Sequence, residues 1–237
     1  MARKQTAPVV HPFDAKFGTD TGGLIPGPKL KTGHMHDRHN TAYHGTAPSL
    51  FAQIMELWQN TWTPVPPSDY AFVDIGAGKG RSSFLAARMH FRSITGVELN
   101  PALAQIARQN ITTFAPYAVT PVSILEGDIM TFPLPAGPLL LYLFNPFGAT
   151  VLRRLMKKLD ARQSTHPTPI DLIYVNDEHR GVLQKHGRWQ SLWSGDLHLS
   201  DEDDEADRAT IRRDAHGLYA VEGYERCSLW RWQMDQE

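Results

Sequence analysis

Apolar and polar positions change their rhythm near residue 68. Before it, residues 13–45 scatter apolar side chains among Gly, Pro, Thr and His, with no helical or strand period, and read as ordered loop. A helix is expected from residue 46. Thr46 can cap it, Pro48 suits the first turn, and Leu50, Phe51, Ile54, Met55, Leu57 and Trp58 share one broad face. The run Thr63-Pro64-Val65-Pro66-Pro67-Ser68-Asp69 then ends it.

Beyond this break, short apolar runs alternate with helical patterns. Strands are expected over 70–75, 93–99, 119–125, 138–144 and 170–175, and helices over 81–90, from the Asn100-Pro101 start, and over 151–159. Two further strands, 189–193 and 219–232, flank residues 201–207, where six of seven positions are acidic; a solvated loop is expected there, in preference to a lure for a cationic substrate such as a lysine-rich tail or polyamine. Trp189, Trp193, Trp230 and Trp232 alternate as strand side chains do, which assigns them to packing. Strands spaced by helices imply an open, mostly parallel α/β sheet covered on both faces, with ligands bound at the carboxyl ends of its strands. Residues 1–68 are assigned to a loop-rich segment with a cap helix, and 69–237 to the sheet domain.

Composition narrows the functional classes. Hydrophobic residues are 41% and charged residues 21% of the chain, enough for a core. Lys+Arg 24 against Asp+Glu 25 excludes a surface that is uniformly attractive to nucleic acid or anionic membrane. No apolar run is long enough to span a bilayer, and Met1-Ala2-Arg3-Lys4 is not followed by the apolar core of a secretory signal. The lone Cys227 forms no internal disulfide and excludes cysteine-rich zinc modules. A soluble, cytoplasmic protein is expected.

The candidate chemistry sits in Asp74-Ile75-Gly76-Ala77-Gly78-Lys79-Gly80, between the first strand of the alternating region and the next helix. A P-loop fails here, because Gly80 follows Lys79 where Ser or Thr is needed and Val73 stands where a glycine is needed. A dinucleotide loop fails too, since its third glycine falls on Arg81. An acid two residues before G-x-G-x-G resembles the first motif of class I, seven-stranded S-adenosylmethionine (SAM) methyltransferases. Glu98, in Gly96-Val97-Glu98-Leu99, and Asp128, in Glu126-Gly127-Asp128-Ile129, add acids at the ends of the next two strands. The resemblance covers roughly residues 70 to 232, best over 72–148. It implies a doubly wound, mostly parallel seven-stranded sheet with an antiparallel C-terminal strand, and SAM as cofactor.

By that resemblance, Asp74 faces the methionine ammonium, Gly76, Gly78 and Gly80 give the ligand room, and Glu98 with Leu99 takes the ribose. Asp128 and Ile129 take the adenine. Tyr43 is the aromatic of the amino-terminal segment chosen to lie near the cofactor. Asn145-Pro146-Phe147 resembles the Asn-Pro-aromatic element of amine methyltransferases, although the second proline of the common form is absent. It points to a nitrogen acceptor on a small molecule or protein, with Asn145 near both cofactor and acceptor. The alternative is a non-catalytic SAM-binding or partner subunit that retains the fold. An aminopropyl-type transfer is disfavoured, because no paired acids follow the fourth strand of the alternating region.

Other signals are set aside. His34, His36, His39 and His44 could ligate zinc or nickel, but with no cysteine and in a glycine-rich loop no metal is expected. His179 is a candidate base, with a capping or solvated loop role favoured. Arg153, Arg154, Lys157 and Lys158 are read as an exposed helix face rather than a nucleic-acid contact.

Overall fold

The computed structural model of the chain describes residues 10–215, 219 and 222–234. The positively charged Met1-Ala2-Arg3-Lys4 start lies outside them. Proline and glycine break the first stretch into short pieces: α1 (Pro12–Phe17), β1 (Leu24–Ile25) and β2 (Tyr43–His44), the two strands pairing antiparallel. The longer α2 (Pro48–Asn60) follows. Then come β3 (Ala71–Ile75), α3 (Arg81–Ala86), β4 (Ser93–Glu98), α4 (Pro101–Phe114), β5 (Val122–Glu126) and β6 (Leu139–Phe144). The chain continues through α5 (Ala149–Thr165), β7 (Ile170–Val175), α6 (Gly181–Gln184), β8 (Trp189–His198), α7 (Asp201–Ala215) and β9 (Tyr224–Trp232).

The main sheet has seven strands in the order β5-β4-β3-β6-β7-β9-β8. The first five run parallel, and β9 inserts antiparallel between β7 and β8. β3, β6 and β7 are buried along their whole length apart from Phe144, which is why they read as continuous apolar runs rather than alternating ones. Alternate side chains serve opposite faces. Phe72, Leu140, Tyr142 and Ile173 pack with α2 and with Phe13 and Phe17 of α1. Val73, Leu141, Leu143 and Leu172 pack with Val151, Leu152, Leu155 and Leu159 of α5. The amino-terminal helices therefore belong to the same core as the sheet. No described helix is long and apolar enough to cross a membrane.

The structure departs from the sequence reading in several places: residues 13–45 hold most of α1 and all of β1 and β2, β5 begins at Val122, and α5 and β8 run longer than expected. Residues 201–207 are not a loop but the opening of α7. Four acids in the first turn oppose the positive helix N-terminus, Arg212 and Arg213 close the other end, and Asp204 pairs with Arg208 at 2.8 Å. The cap of α2 is Ala47, which offers no side-chain bond. Asp203 of α7 supplies that bond from 154 residues away, accepting from Ser49 N at 2.7 Å, while Thr46 pairs with the Tyr142 hydroxyl. The helix expected over 81–90 stops at Ala86. The last strand starts at Tyr224, and part of the stretch from 219 lies outside the described residues.

Candidate active site

Parallel pairing aligns the strand ends: Ile75 lies beside Val97 and Leu143, and Glu98 beside Glu126. The loops that follow β3, β4, β5 and β6 therefore converge on one cleft. Its empty space is about 970 Å³ counted out to its mouth. Asp74, Gly76, Gly78, Glu98, Leu99, Asp128, Ile129, Pro146 and Phe147 line it, and Tyr43 closes it from the amino-terminal side. Asn145 lies at its back, on a neighbouring vestibule. Gly80 is not among the lining residues. It turns into α3 at φ 96, and a side chain there would meet the Phe84 ring.

Two glycines are needed for close approach. Gly76 has φ 77, and a Cβ on it would fall 2.5 Å from Cβ of Pro146. Gly78 has φ 56, and its Cβ would fall 2.2 Å from the Tyr43 ring. Both positions thus combine left-handed backbone with contact too close for any side chain. The glycine loop is clamped between the Asn-Pro turn and the amino-terminal tyrosine.

The acids differ in environment. Asp74 is buried and accepts from the Ser82 and Ser83 hydroxyls at 2.5 and 2.7 Å. Burial still pushes its carboxyl up to about 6, against those hydrogen bonds. Glu98 accepts from Gly78 N and Asn100 N, one on each oxygen, both at 2.7 Å. Burial pushes it up to about 7 despite those donors. Asp128 accepts from Met130 N at 2.9 Å and meets His36 Nδ1 at 3.1 Å.

Asn145 has φ 39, a left-handed conformation that Asn tolerates better than most residues. Its carbonyl and its side-chain amide are engaged. Its carbonyl accepts from Thr41 Oγ1 at 2.5 Å and its Oδ1 from the Tyr174 hydroxyl at 3.2 Å, while Nδ2 donates to Glu178 Oε2 at 3.2 Å.

Residues 73–139 match a family profile described as a methyltransferase domain. No curated protein sequence matches the chain. Among solved structures, a putative methyltransferase from Escherichia coli is 12% identical at a TM-score of 0.51, with 90% of this chain and 100% of that one covered. Magnesium protoporphyrin IX methyltransferase from Synechocystis PCC 6803, solved with bound SAM, is 12% identical at 0.50, with 78% of each chain covered. A putative RNA methyltransferase from Pyrococcus horikoshii is also 12% identical at 0.50, covering 79% and 82%. These likenesses establish the shared fold. Residues 73–139 belong to a class I SAM-dependent methyltransferase domain. The chain thus carries a SAM-dependent methyltransferase domain.

The cleft of this methyltransferase suits the cofactor. Glu98 and Asp128 offer acceptors for hydroxyl and amino groups, and Leu99, Leu103 and Ile129 give apolar walls. Gly127, at φ 153, has no atom within 4 Å of where its Cβ would be, which leaves room for a flat ring.

The amino-terminal segment is tied to the methyltransferase loop by groups that sequence reading passed over. Lys79 Nζ donates to Asp20 Oδ1 and Gly22 O at 2.7 and 2.8 Å. Arg81 Nε donates to Thr21 Oγ1 at 2.8 Å, and Nη2 donates to Thr21 O at 3.0 Å. The Tyr43 hydroxyl donates to the same Thr21 carbonyl at 2.7 Å, and burial raises its pKa.

The four histidines do not converge. His34 and His36 meet Asp128, His44 faces Asp207 at 3.4 Å, and His39 flanks Gly148. His34, His36 and Asp128 place ligand-type atoms within 4.8 Å of one another. Arg154 donates to His36 Nε2 at 2.8 Å, which puts the ring hydrogen of the neutral imidazole on Nδ1, 3.1 Å from Asp128 Oδ2. Arg154 and Lys158 also correct the reading of α5 as a plain exposed face: Lys158 Nζ donates to the carbonyls of Ile129, Met130 and Phe132 and pins the loop after β5. His179 lies outside the cleft, beside Arg153 and Lys157.

Proposed function

We propose that this methyltransferase alkylates an amine nitrogen, with Asp74, Gly76, Gly78, Glu98, Leu99, Asp128, Ile129 and Tyr43 holding SAM. Gly80 supports that loop from behind, and Asn145, Pro146 and Phe147 position the acceptor. The segment before residue 69 acts as the cover of the site. When bound, SAM supplies a methyl group activated by a sulfonium, so an N–C bond forms as the C–S bond breaks and its electron pair stays on sulfur.

The carrying observation is the hydrogen-bonding sense around Asn145. Its carbonyl, which now receives the Thr41 hydroxyl, and the neighbouring Glu178 carboxylate are both acceptors. Such a wall orients an N–H donor with its lone pair directed away from them, and it repels a carboxylate acceptor. The proposed chemistry is mainly positional, since the methyl needs no further activation.

Two measurements test the assignment. Glu98→Ala is expected to weaken SAM binding by about 1–3 kcal/mol through lost charge-assisted bonds, read by calorimetry. An unchanged dissociation constant removes Glu98 from the site. In the wild type, hydroxyl donors favour the ionised carboxylate, whereas the empty site holds the proton up to about pH 7. SAM affinity should therefore rise as pH increases from 6 toward 7 and level off above it, with a proton released on binding. Asn145→Ala is expected to lower turnover about a hundredfold while leaving SAM affinity nearly unchanged. Equal turnover would reduce the Asn-Pro step to a turn.

A further inference from the structure

Behind the strand β2 lies a second hollow, a vestibule between α7, the start of β9 and the ends of β6 and β7. Thr41, Ala42, His44 and Phe144 line both it and the cofactor cleft, so the two hollows adjoin at these residues. Asn145 and Glu178 stand at the end nearest the cleft.

The other end is acidic. Asp207, Glu222 and Glu225 line it, and no lysine or arginine does among the described residues. Acidic side chains alone would mean little, since they are ordinarily solvated. Asp207 is not: only 5% of it is exposed, and its Oδ1 has no hydrogen-bond partner among the described residues. The nearest donors miss it. His44 Nε2 lies 3.4 Å away without hydrogen-bond geometry, and His11 Nε2 lies 3.9 Å away and is itself unbonded. His11 Nδ1 accepts from Phe13 N, and burial foremost pushes this imidazole down to about 4, so it brings no charge at neutral pH. A buried carboxylate oxygen with no donor is costly and calls for a cation from outside the chain. Glu225 suffers similarly: burial pushes it up to about 7, His44 opposes this, and Asp207 and Glu222 add to it.

We infer that the vestibule binds the methyl acceptor and that the acceptor is a small aliphatic di- or polyamine, one nitrogen at Asn145 and a second, cationic nitrogen at Asp207 and Glu225. This rests on the amine reading of Asn145 and adds to it a requirement for a remote positive charge. The attacking nitrogen reaches the methyl in its neutral form, its proton having passed to solvent, while the remote ammonium stays protonated and paired. Asp207 and Glu225 thus select the substrate without touching the reacting atoms.

The test uses the full chain with S-adenosylhomocysteine for binding and SAM for turnover. The probes are 1,4-diaminobutane, spermidine, the monoamine butylamine, and a lysine-containing peptide. The expected result is calorimetric binding and methylation of the diamine or spermidine, with butylamine at least about tenfold weaker. Asp207→Asn should weaken the polyamine about tenfold, leave SAM affinity unchanged and leave the melting temperature no lower, because it removes an unsatisfied buried charge. Glu222→Gln, at an exposed position, provides a second variant with a smaller loss in the same direction.

Equal use of butylamine, use of the peptide alone, or polyamine affinity unaffected by both variants overturns the inference while leaving amine methylation standing. Charge-dependent polyamine binding without methylation at any pH would instead support the cation-binding vestibule and overturn the amine-transfer reading of Asn145.

Discussion

Arg81→Ala is expected to lower the stability of the fold by about 3–5 kcal/mol, the range for breaking a buried charge's contacts, and to weaken SAM binding in the same protein. Arg81 is 3% exposed. Its guanidinium donates to Thr21 Oγ1, Thr21 O and Gly45 O and lies 3.8 Å from the equally buried Asp14. Asp14 in turn accepts from Thr19 and Thr21. Removing the side chain takes a donor from Gly45 O, leaves Thr21 O with the Tyr43 hydroxyl, and leaves Asp14 without its cation. The link to SAM runs through Tyr43, whose hydroxyl shares the Thr21 carbonyl and whose ring rests on Gly78. Thermal melting and calorimetry on one preparation check both halves. A stability loss with unchanged SAM affinity would show that Tyr43 does not depend on this clip.

Asp171→Ala supplies the contrast. It should cost about 3–5 kcal/mol as well, a drop in melting temperature on the order of 10 °C for a chain of this size. SAM affinity below the transition should not change. Asp171 lies in β7, 1% exposed, and makes a two-pronged pair with Arg231 at 2.7 and 2.9 Å. Its Oδ2 also accepts from Trp58 Nε1 at 2.8 Å and from the Tyr70 hydroxyl at 3.3 Å. One carboxylate thereby joins α2, the approach to β3, β7 and β9, all at the end of the sheet away from the cleft. A loss below about 1 kcal/mol, the range of an exposed pair, would show that water replaces these partners.

The two substitutions separate what sequence could and could not disclose. The buried strands were legible because a strand covered on both faces must be apolar throughout, and 170–175 reads that way and folds that way. The markers at the strand ends were legible for a similar reason: a glycine loop, Glu98 and Asp128 each carry their meaning within a few residues. Residues 201–207 were misread because six acids hide helical periodicity. Only the fold reveals that Asp203 and Asp207 face inward while Asp204 pairs with Arg208.

The amino-terminal segment was the least legible part. His36 on Asp128, Thr41 on Asn145 and Lys79 on Asp20 join residues 59 to 104 positions apart, and no local pattern announces them. The sequence by itself determined the alternation of strands and helices, the glycine turn and the acids that the cofactor cleft would present. These follow from local backbone preference and from the period of apolar side chains. The tertiary structure alone decided the strand order, the cover over the cleft and the carboxylate left unpaired in the vestibule. Each of these depends on which distant groups meet once water is excluded, and burial changes what those groups can do.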